Sequence, residues 1–192
     1  VTQVTQVTQV TQVTQVMSTI AFTSSNELKH VVRTFTGPSI VANKTIISIY
    51  GEIRDWNVSN VTYMYGLFMN CKTFNEDLSN WDVSNVTDMN SMFSNCDNFE
   101  SDLSKWDVSN VKCMAGMFDN CTKFVSDLSK WDVSGVTNMN FMFYNCLNFV
   151  SDLSQWNVSN VRIMTRMFYN CPKFTSHLSQ WNVSNVTDMN CM

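Results

Sequence analysis

Residues 81–105, WDVSNVTDMNSMFSNCDNFESDLSK, decide the fold, because close copies of this stretch recur with a 25-residue period. A strict period of this length is typical of a solenoid, in which each turn buries its apolar residues against the next turn. Residues 53–192 are therefore predicted to form such a stack, with the last turn truncated. The tryptophans mark one position of every turn: Trp56, Trp81, Trp106, Trp131, Trp156 and Trp181.

The apolar spacing within one repeat predicts a helix and a strand. From Val86 to Cys96 the intervals between apolar residues are mostly three, which favours a short helix. Around Trp81 and Val83 the interval is two, which favours a short strand. The expected fold class is an α/β repeat, a right-handed leucine-rich-repeat-like solenoid with short parallel strands on one face and short helices on the other.

Two recurring polar or thiol positions fit this stack. An asparagine stands where each expected helix ends and can adopt the left-handed conformation there: Asn70, Asn95, Asn120, Asn145 and Asn170. A cysteine follows it in each turn: Cys71, Cys96, Cys121, Cys146 and Cys171. Small, buried, reduced thiols are expected, although bridges between adjacent turns are geometrically conceivable. The tryptophan and cysteine columns are the predicted structural ladder.

Two segments precede the repeats. Residues 1–16 repeat the triplet Val-Thr-Gln, a period that matches neither a strand nor a helix. We expect this tract to be disordered or an artefact of the gene model, with Met17 as the true start; a genuine low-complexity tail is the alternative. Residues 17–52 are predicted to form an N-terminal cap. Its helix is expected over residues 25–35 and its strand over TIISIY, residues 45–50.

Composition narrows the classes of partner. The net charge is −4 and no basic cluster is present, which argues against nucleic acid as a partner. No apolar run approaches the roughly 20 residues of a transmembrane helix. The segment after Met17 lacks the basic and apolar regions of a signal peptide, so the compartment is not predicted.

No catalytic or metal centre is expected, and neither is a cofactor. The two histidines, His30 and His177, lie far apart in the chain, and the motifs of zinc and nucleotide sites do not occur. The protein is therefore predicted not to be an enzyme.

Two aspartate columns require an explanation, because like charges on neighbouring turns repel. The first is expected to accept backbone N–H groups in the return loop, with calcium binding as the alternative. The second is expected to lie beside Lys105 and Lys130 on the outer surface. The first column is Asp77, Asp102, Asp127 and Asp152, followed by His177; the second is Asp82, Asp107 and Asp132.

Recognition is expected where the repeats differ. In the fourth and fifth turns the variable positions hold bulky or apolar residues, which are typical of interface hot spots. Drift at surface positions is the alternative explanation. The candidate partner-binding patch consists of Phe141, Tyr144, Ile163, Arg166 and Tyr169. A weaker second candidate in the first turn consists of Tyr63, Tyr65 and Met69.

The run W-[DN]-V-S-N-V-T-x-M-x-x-M-F-x-N-C-x-x-F-x-x-D-L-S resembles the 25-residue leucine-rich repeat of BspA-like surface proteins. These occur in mycoplasma and Listeria lipoproteins, in protists and in large DNA viruses. The resemblance covers residues 53–192 and is almost unchanged from turn to turn. It implies a leucine-rich-repeat-like fold, an adhesion or interaction role on a cell or virion surface, and no known catalysis.

The leading hypothesis is a non-catalytic protein–protein interaction or adhesion module that binds an unknown protein partner. Two alternatives remain open. One is a structural solenoid that associates end to end through an uncapped edge at Met192. The other is a calcium- or glycan-binding surface domain.

Overall fold

The computed structural model describes residues 20–192, so the predictions for residues 1–16 and Met17 lie outside the described residues. Two helices and one short 3₁₀ turn come first: α1 at Ser25–Phe35, α2 at Ile40–Tyr50 and the 3₁₀ turn at Ile53–Asp55. From Trp56 onward the chain stacks its 25-residue repeats on one another. Each repeat is called a rung here, and rungs 1 to 6 begin at the successive tryptophans.

Helix α1 lies where the sequence predicts a helix. The Ser24 hydroxyl accepts the Glu27 N–H at 3.2 Å, and the Glu27 carboxylate accepts the Thr23 N–H at 2.8 Å. These reciprocal bonds satisfy donors at the start of the helix. The apolar face of α1, formed by Leu28, Val31 and Val32, is buried and belongs to the same hydrophobic core as the rungs.

The strand expected over residues 45–50 is wrong, because these residues belong to α2. Ser39 caps α2 by accepting the Ala42 N–H at 3.3 Å, and Gly51 ends it with a φ of 77°. The segment that pairs with rung 1 is instead the one before α1, where the Phe22 N–H donates to the Asn57 carbonyl at 3.0 Å. With this pairing partner in place, the β-branched run is free to follow its N-cap into a helix.

The predicted right-handed leucine-rich-repeat-like solenoid of parallel strands and short helices is also wrong. In the described part of the chain the rungs contain no helix, and their extended pairing is limited to isolated parallel bridges. No bridge lies at Trp81 or Val83, where the spacing predicts a strand. The bridges between rungs form a single column, at Tyr63, Asp88, Cys113, Asn138, Ile163 and Asp188.

Consecutive tight turns, not a helix, produce the apolar interval of three. In rung 2 the N–H groups of Met92 and Cys96 donate to the carbonyls of Met89 and Phe93, at 3.2 and 2.9 Å. At the third residue of each turn, Ser91 and Asn95 adopt left-handed conformations, with φ of 54° and 59°. A left-handed residue interrupts an α-helix, so each turn ends before a second one can continue it. All five asparagines of the predicted left-handed column have positive φ.

Backbone N–H and carbonyl groups that form no hydrogen bond within these turns join one rung to the next. In rung 2 the N–H groups of Met89, Ser91, Phe93 and Asn95 donate, at 2.7–3.0 Å, to carbonyls of rung 3. Their acceptors are, in the same order, Cys113, Ala115, Met117 and Asp119. The same bonds recur in rungs 1, 3 and 4. This shared register places each residue next to its counterpart in the following rung, so every repeat position becomes a column.

Aromatic columns fill the interior of the stack. Phe93 and Phe118 are fully buried, and their rings stack 5.7 Å apart with planes 6° from parallel. Each tryptophan ring is also buried, and its indole N–H finds a backbone acceptor earlier in the chain. For example, Trp106 Nε1 donates to the Leu78 carbonyl at 3.0 Å. This pairing matters because a buried indole donor without an acceptor destabilises the fold.

The cysteine column lies beside these rings. Cys96 and Cys121 are fully buried, and their thiols donate to the Phe68 and Phe93 carbonyls, both at 3.0 Å. All seven cysteines are free. Burial raises the pKa of the Cys96 thiol to about 12, so this thiol stays protonated near neutral pH.

At most rung junctions, the asparagine after the Val-Ser dipeptide forms a hydrogen bond to the preceding rung. In rung 4 this position is Gly135, which has no side chain to form the bond. Asn110 Nδ2 donates to the Ser84 carbonyl at 2.7 Å, and Asn160 Nδ2 donates to the Ser134 carbonyl at 2.7 Å. A side chain at Gly135 would first meet Lys112 Nζ, the flexible end of a lysine, at 2.7 Å from the added Cβ.

Gly135→Asn is expected to stabilise the protein by about 1 kcal/mol, because it restores a hydrogen bond to the Ser109 carbonyl and removes glycine freedom from the unfolded chain. Urea unfolding followed by tryptophan fluorescence measures the change. The reverse substitution, Asn160→Gly, is the matched control and is expected to lower the urea midpoint. A lower midpoint for Gly135→Asn would contradict the assignment of this column.

Candidate functional site

The first aspartate column is part of the rung framework. Asp102 and Asp127 each accept the backbone N–H of the serine two positions later at 2.9 Å. They also accept the hydroxyls of Ser126 and Ser151 on the next rung, at 3.3 and 3.1 Å. These bonds, the backbone one foremost, hold the pKa of both carboxyls below the usual range. Their local partners explain the column without a bound ion.

The second column is also satisfied locally, but not by lysine. Asp82 accepts both the N–H and the hydroxyl of Ser84, at 3.1 and 2.6 Å. Neither Lys105 nor Lys130 forms the expected pair, since the only ion pair among the described residues joins Arg54 to Asp55 at 3.7 Å. Nor do the described residues contain a group of three or more histidine, cysteine or acidic side chains arranged to hold a metal ion.

Four of the five predicted patch residues form one contiguous cluster. The rings of Tyr144 and Tyr169 stack 5.1 Å apart with planes 9° from parallel, and Phe141 lies 5.4 Å from Tyr144. The Arg166 guanidinium lies over two rings, 5.7 Å from the centre of Phe141 and 5.9 Å from that of Tyr169. Phe141, Tyr144, Arg166 and Tyr169 are called the aromatic cluster below.

Ile163, the fifth predicted residue, occupies the bridge column. Its backbone faces rungs 4 and 6, where it bridges Asn138 and Asp188. Its side chain is half-buried, whereas Arg166 and Tyr169 are exposed. Ile163 therefore lies on the same face as the cluster, and its backbone pairs with the neighbouring rungs.

The aromatic cluster is built on strained backbone. Phe141 and Arg166 have φ of 56° and 53°, in the left-handed region. Rungs 1 and 3 place Gly66 and Gly116 at this column, with φ of 56° and 59°. A non-glycine residue in this conformation costs about 1 kcal/mol. Bulky side chains thus stand where the fold itself favours glycine.

Phe141 also removes a hydrogen bond that rung 2 makes. There, the Ser91 hydroxyl donates to Asn90 Oδ1 at 2.7 Å. In rung 4 the corresponding atom, Asn140 Oδ1, is buried without a partner, because Phe141 has no hydroxyl. A buried acceptor of this kind costs about 1–3 kcal/mol.

Two more buried polar atoms in rungs 3 and 5 lack partners, Asp119 Oδ1 and Thr165 Oγ1. Asp119 shares its column with Tyr144 and Tyr169, and burial raises the pKa of its carboxyl. Three of the four unpartnered buried side-chain atoms among the described residues therefore surround the aromatic cluster. Sequence reasoning missed these atoms. A visible signal was the glycine at two other rungs of the Phe141 column.

The weaker candidate in rung 1 lies on the same face. The Tyr63 and Tyr65 rings stack 6.1 Å apart, and Lys29 Nζ from α1 lies 5.2 Å from the centre of the Tyr65 ring. The same Nζ donates to the Tyr65 carbonyl at 2.9 Å. Met69 occupies the column of Tyr144 and Tyr169. Tyr63, Tyr65, Met69 and Lys29 are called the first-rung site below.

Clefts occur elsewhere, along the return loops. One of about 460 Å³ is lined by Val125, Asp127, Lys130 and Val150, among others. No residue of the aromatic cluster lines it. The clefts and the cluster are therefore separate surfaces.

The fold defines a protein of stacked 25-residue turns with one variable, partly aromatic face. The sequence model of a family described as Mycoplasma protein of unknown function, DUF285, matches residues 38–149 and again residues 102–192. The chain belongs to this family. No curated protein and no solved structure matches it. None of the helices in the described part of the chain has the length and apolar character needed to cross a bilayer.

Phe141→Ser is expected to leave stability unchanged or to raise it by about 1 kcal/mol, because the new hydroxyl can donate to Asn140 Oδ1 as Ser91 does to Asn90. A buried phenylalanine normally costs about 3–5 kcal/mol when it is truncated. Thermal and urea unfolding test the difference. Ser91→Ala, which removes the original bond, should destabilise the protein. A loss above about 2 kcal/mol for Phe141→Ser would show that Phe141 is a core residue.

Proposed function

We propose that the protein is a non-catalytic interaction module that binds a partner protein through the aromatic cluster. The observation that carries the proposal is the strained Phe141 above the unpartnered Asn140 Oδ1. Positions that violate local structural rules without benefit to the fold are where binding function is expected. A serine at residue 141, as in rung 2, would satisfy the fold better.

The chemistry of the cluster suits a protein interface. Tyrosine and arginine are enriched among the residues that dominate binding energy, and stacked rings are already ordered before a partner arrives. Tyr169 is 47 % exposed, and Arg166 is exposed as well. Burial of the exposed apolar part of the Tyr169 ring favours association by about 25 cal/mol per Å² of apolar area.

The resemblance to BspA-like surface proteins supports an adhesion-type role and a location on a cell or virion surface. We propose that the protein shares the repeat sequence and the role of these proteins. The proposal does not extend to the leucine-rich-repeat architecture, which the rungs of this protein lack.

The double variant Tyr144→Ser with Tyr169→Ser is expected to lose its partner while retaining the fold, because Ser94 already occupies this column in rung 2. Capture of proteins from cell extract, quantified by mass spectrometry against the unmodified chain, measures the loss. A circular dichroism melt checks that the variant is folded.

The matched control is Val125→Ser with Val150→Ser. These valines are 48 % and 58 % exposed and lie at the return-loop cleft, so the control removes two exposed apolar side chains from another surface. The control should retain the captured partner. If the tyrosine variant and the control capture the same proteins, or if the unmodified chain captures none, the proposal is wrong.

A further inference from the structure

We propose that the face carrying the aromatic cluster binds an extended, acidic segment of a partner polypeptide, which runs along the stack from the first-rung site to the cluster. The inference rests on the proposed function and adds the chemical class of the partner.

The two sites share their columns, so they lie on one face of the stack. Tyr63 and Ile163 both belong to the bridge column. Met69, Tyr144 and Tyr169 occupy one column, in rungs 1, 4 and 5. The common hydrogen-bond register keeps this column continuous through rungs 2 and 3. A single ligand aligned with the stacking axis can therefore reach both sites.

The separation of the sites suits a short extended segment. Three rung intervals separate Met69 from Tyr144. Parallel chains lie about 4.8 Å apart, so the separation is about 15 Å, and an extended chain rising about 3.3 Å per residue spans it with about five residues.

The face carries no aromatic residue between the two sites. At its four columns rung 2 holds Asp88, Asn90, Ser91 and Ser94, and rung 3 holds Cys113, Ala115, Gly116 and Asp119. The aromatic residues of the face therefore stand in the first-rung site and in the aromatic cluster, with polar or small residues between them. Backbone donors such as the Ser91 and Gly116 N–H groups are used between rungs, so a partner is recognised by side chains and not by strand addition.

Two cationic side chains stand at the two ends of this face, in a chain whose net charge is −4. Lys29 lies over a tyrosine ring at one end and Arg166 over two rings at the other, and neither forms an ion pair with a carboxylate among the described residues. The carboxylates of the face are less available. Asp88 and Asp188 are half-buried, and each accepts the N–H of the asparagine two positions later, at 2.8 and 3.1 Å. Burial raises the pKa of the Asp119 carboxyl.

This charge pattern favours a partner with carboxylates. A guanidinium held over aromatic rings keeps its outer N–H groups available for a bidentate carboxylate, while the rings accept apolar side chains. The two cations are farther apart than Met69 and Tyr144, because four rung intervals, about 19 Å, separate Tyr65 under Lys29 from Arg166. The expected ligand therefore carries acidic residues at two places about six residues apart, each beside an apolar or aromatic residue.

Selection of a phage-displayed library of random peptides, each about 12 residues long so as to exceed the span between the sites, tests this inference on the full chain. Enriched peptides are expected to contain two acidic positions separated by about six residues. Affinities of synthetic copies, measured by fluorescence anisotropy, should fall about tenfold for Arg166→Gln and severalfold for Lys29→Gln. Lys105→Gln is the control, because Lys105 is exposed on the return-loop surface, and it should change the affinity little. A thermal melt of each variant confirms that it is folded.

Enrichment of basic or uncharged peptides, or of none, would overturn the inference. So would acidic peptides whose affinity is indifferent to Lys29, since the ligand would then not reach the first-rung site. Peptides that require Tyr144 and Tyr169 for binding, but are neither acidic nor dependent on Lys29, would overturn this inference and leave the proposed function standing. Peptides indifferent to the tyrosine substitutions would contradict both.

Discussion

The stack depends on one hydrogen-bond register, in which N–H groups of one rung donate to carbonyls of the next rung. Asn95 to Asp119 at 2.7 Å and Phe118 to Met142 at 2.9 Å are examples from successive rungs. Satisfying buried backbone groups is obligatory, and a shift of this register would leave them unpaired. The columns of phenylalanine, tryptophan and cysteine follow from the register, because it brings like residues together at every junction.

The side-chain ladders reinforce the same alignment. From Asn95 onward, each left-handed asparagine donates its amide to the one before it, as Asn120 Nδ2 does to Asn95 Oδ1 at 3.0 Å. The Leu103 N–H donates to the Ser126 hydroxyl of the next rung at 2.9 Å. Identical residues thus hold the stack together, which leaves recognition to the columns that vary. The bulky residues of rungs 4 and 5 stand in such columns, two of them at left-handed positions that the fold itself favours filling with glycine.

The repeat period and the interior were predictable from the sequence, whereas the local conformation was not. Identical residues at a fixed period had to stack, so the burial of Trp106 and Cys121 followed. The interval of three from Val86 to Cys96 fits a helix and a series of tight turns equally well, and only backbone φ distinguishes the two. The recurring Asn95 column was the available signal, because a left-handed residue at each rung limits how far a helix extends. The strand prediction for residues 45–50 was wrong for a different reason. Ala21 and Phe22, not these residues, pair with the first rung.

The candidate site was predictable only in outline. Departures from the period located Phe141 and Arg166, but the lost hydrogen bond to Asn140 appears only when rung 4 is compared with rung 2. The contribution of Lys29 could not be predicted from the repeat pattern either, because Lys29 belongs to α1, outside the repeats, and contacts Tyr65 only in the folded protein.

The rung register is tested most directly by scalar couplings across hydrogen bonds, measured by NMR on labelled protein. The register predicts couplings from the Phe93 amide nitrogen to the Met117 carbonyl carbon, and from Phe118 to Met142, on successive rungs. A coupling from Phe93 to Met89, one helical turn earlier, would instead show a helix and contradict the rung register.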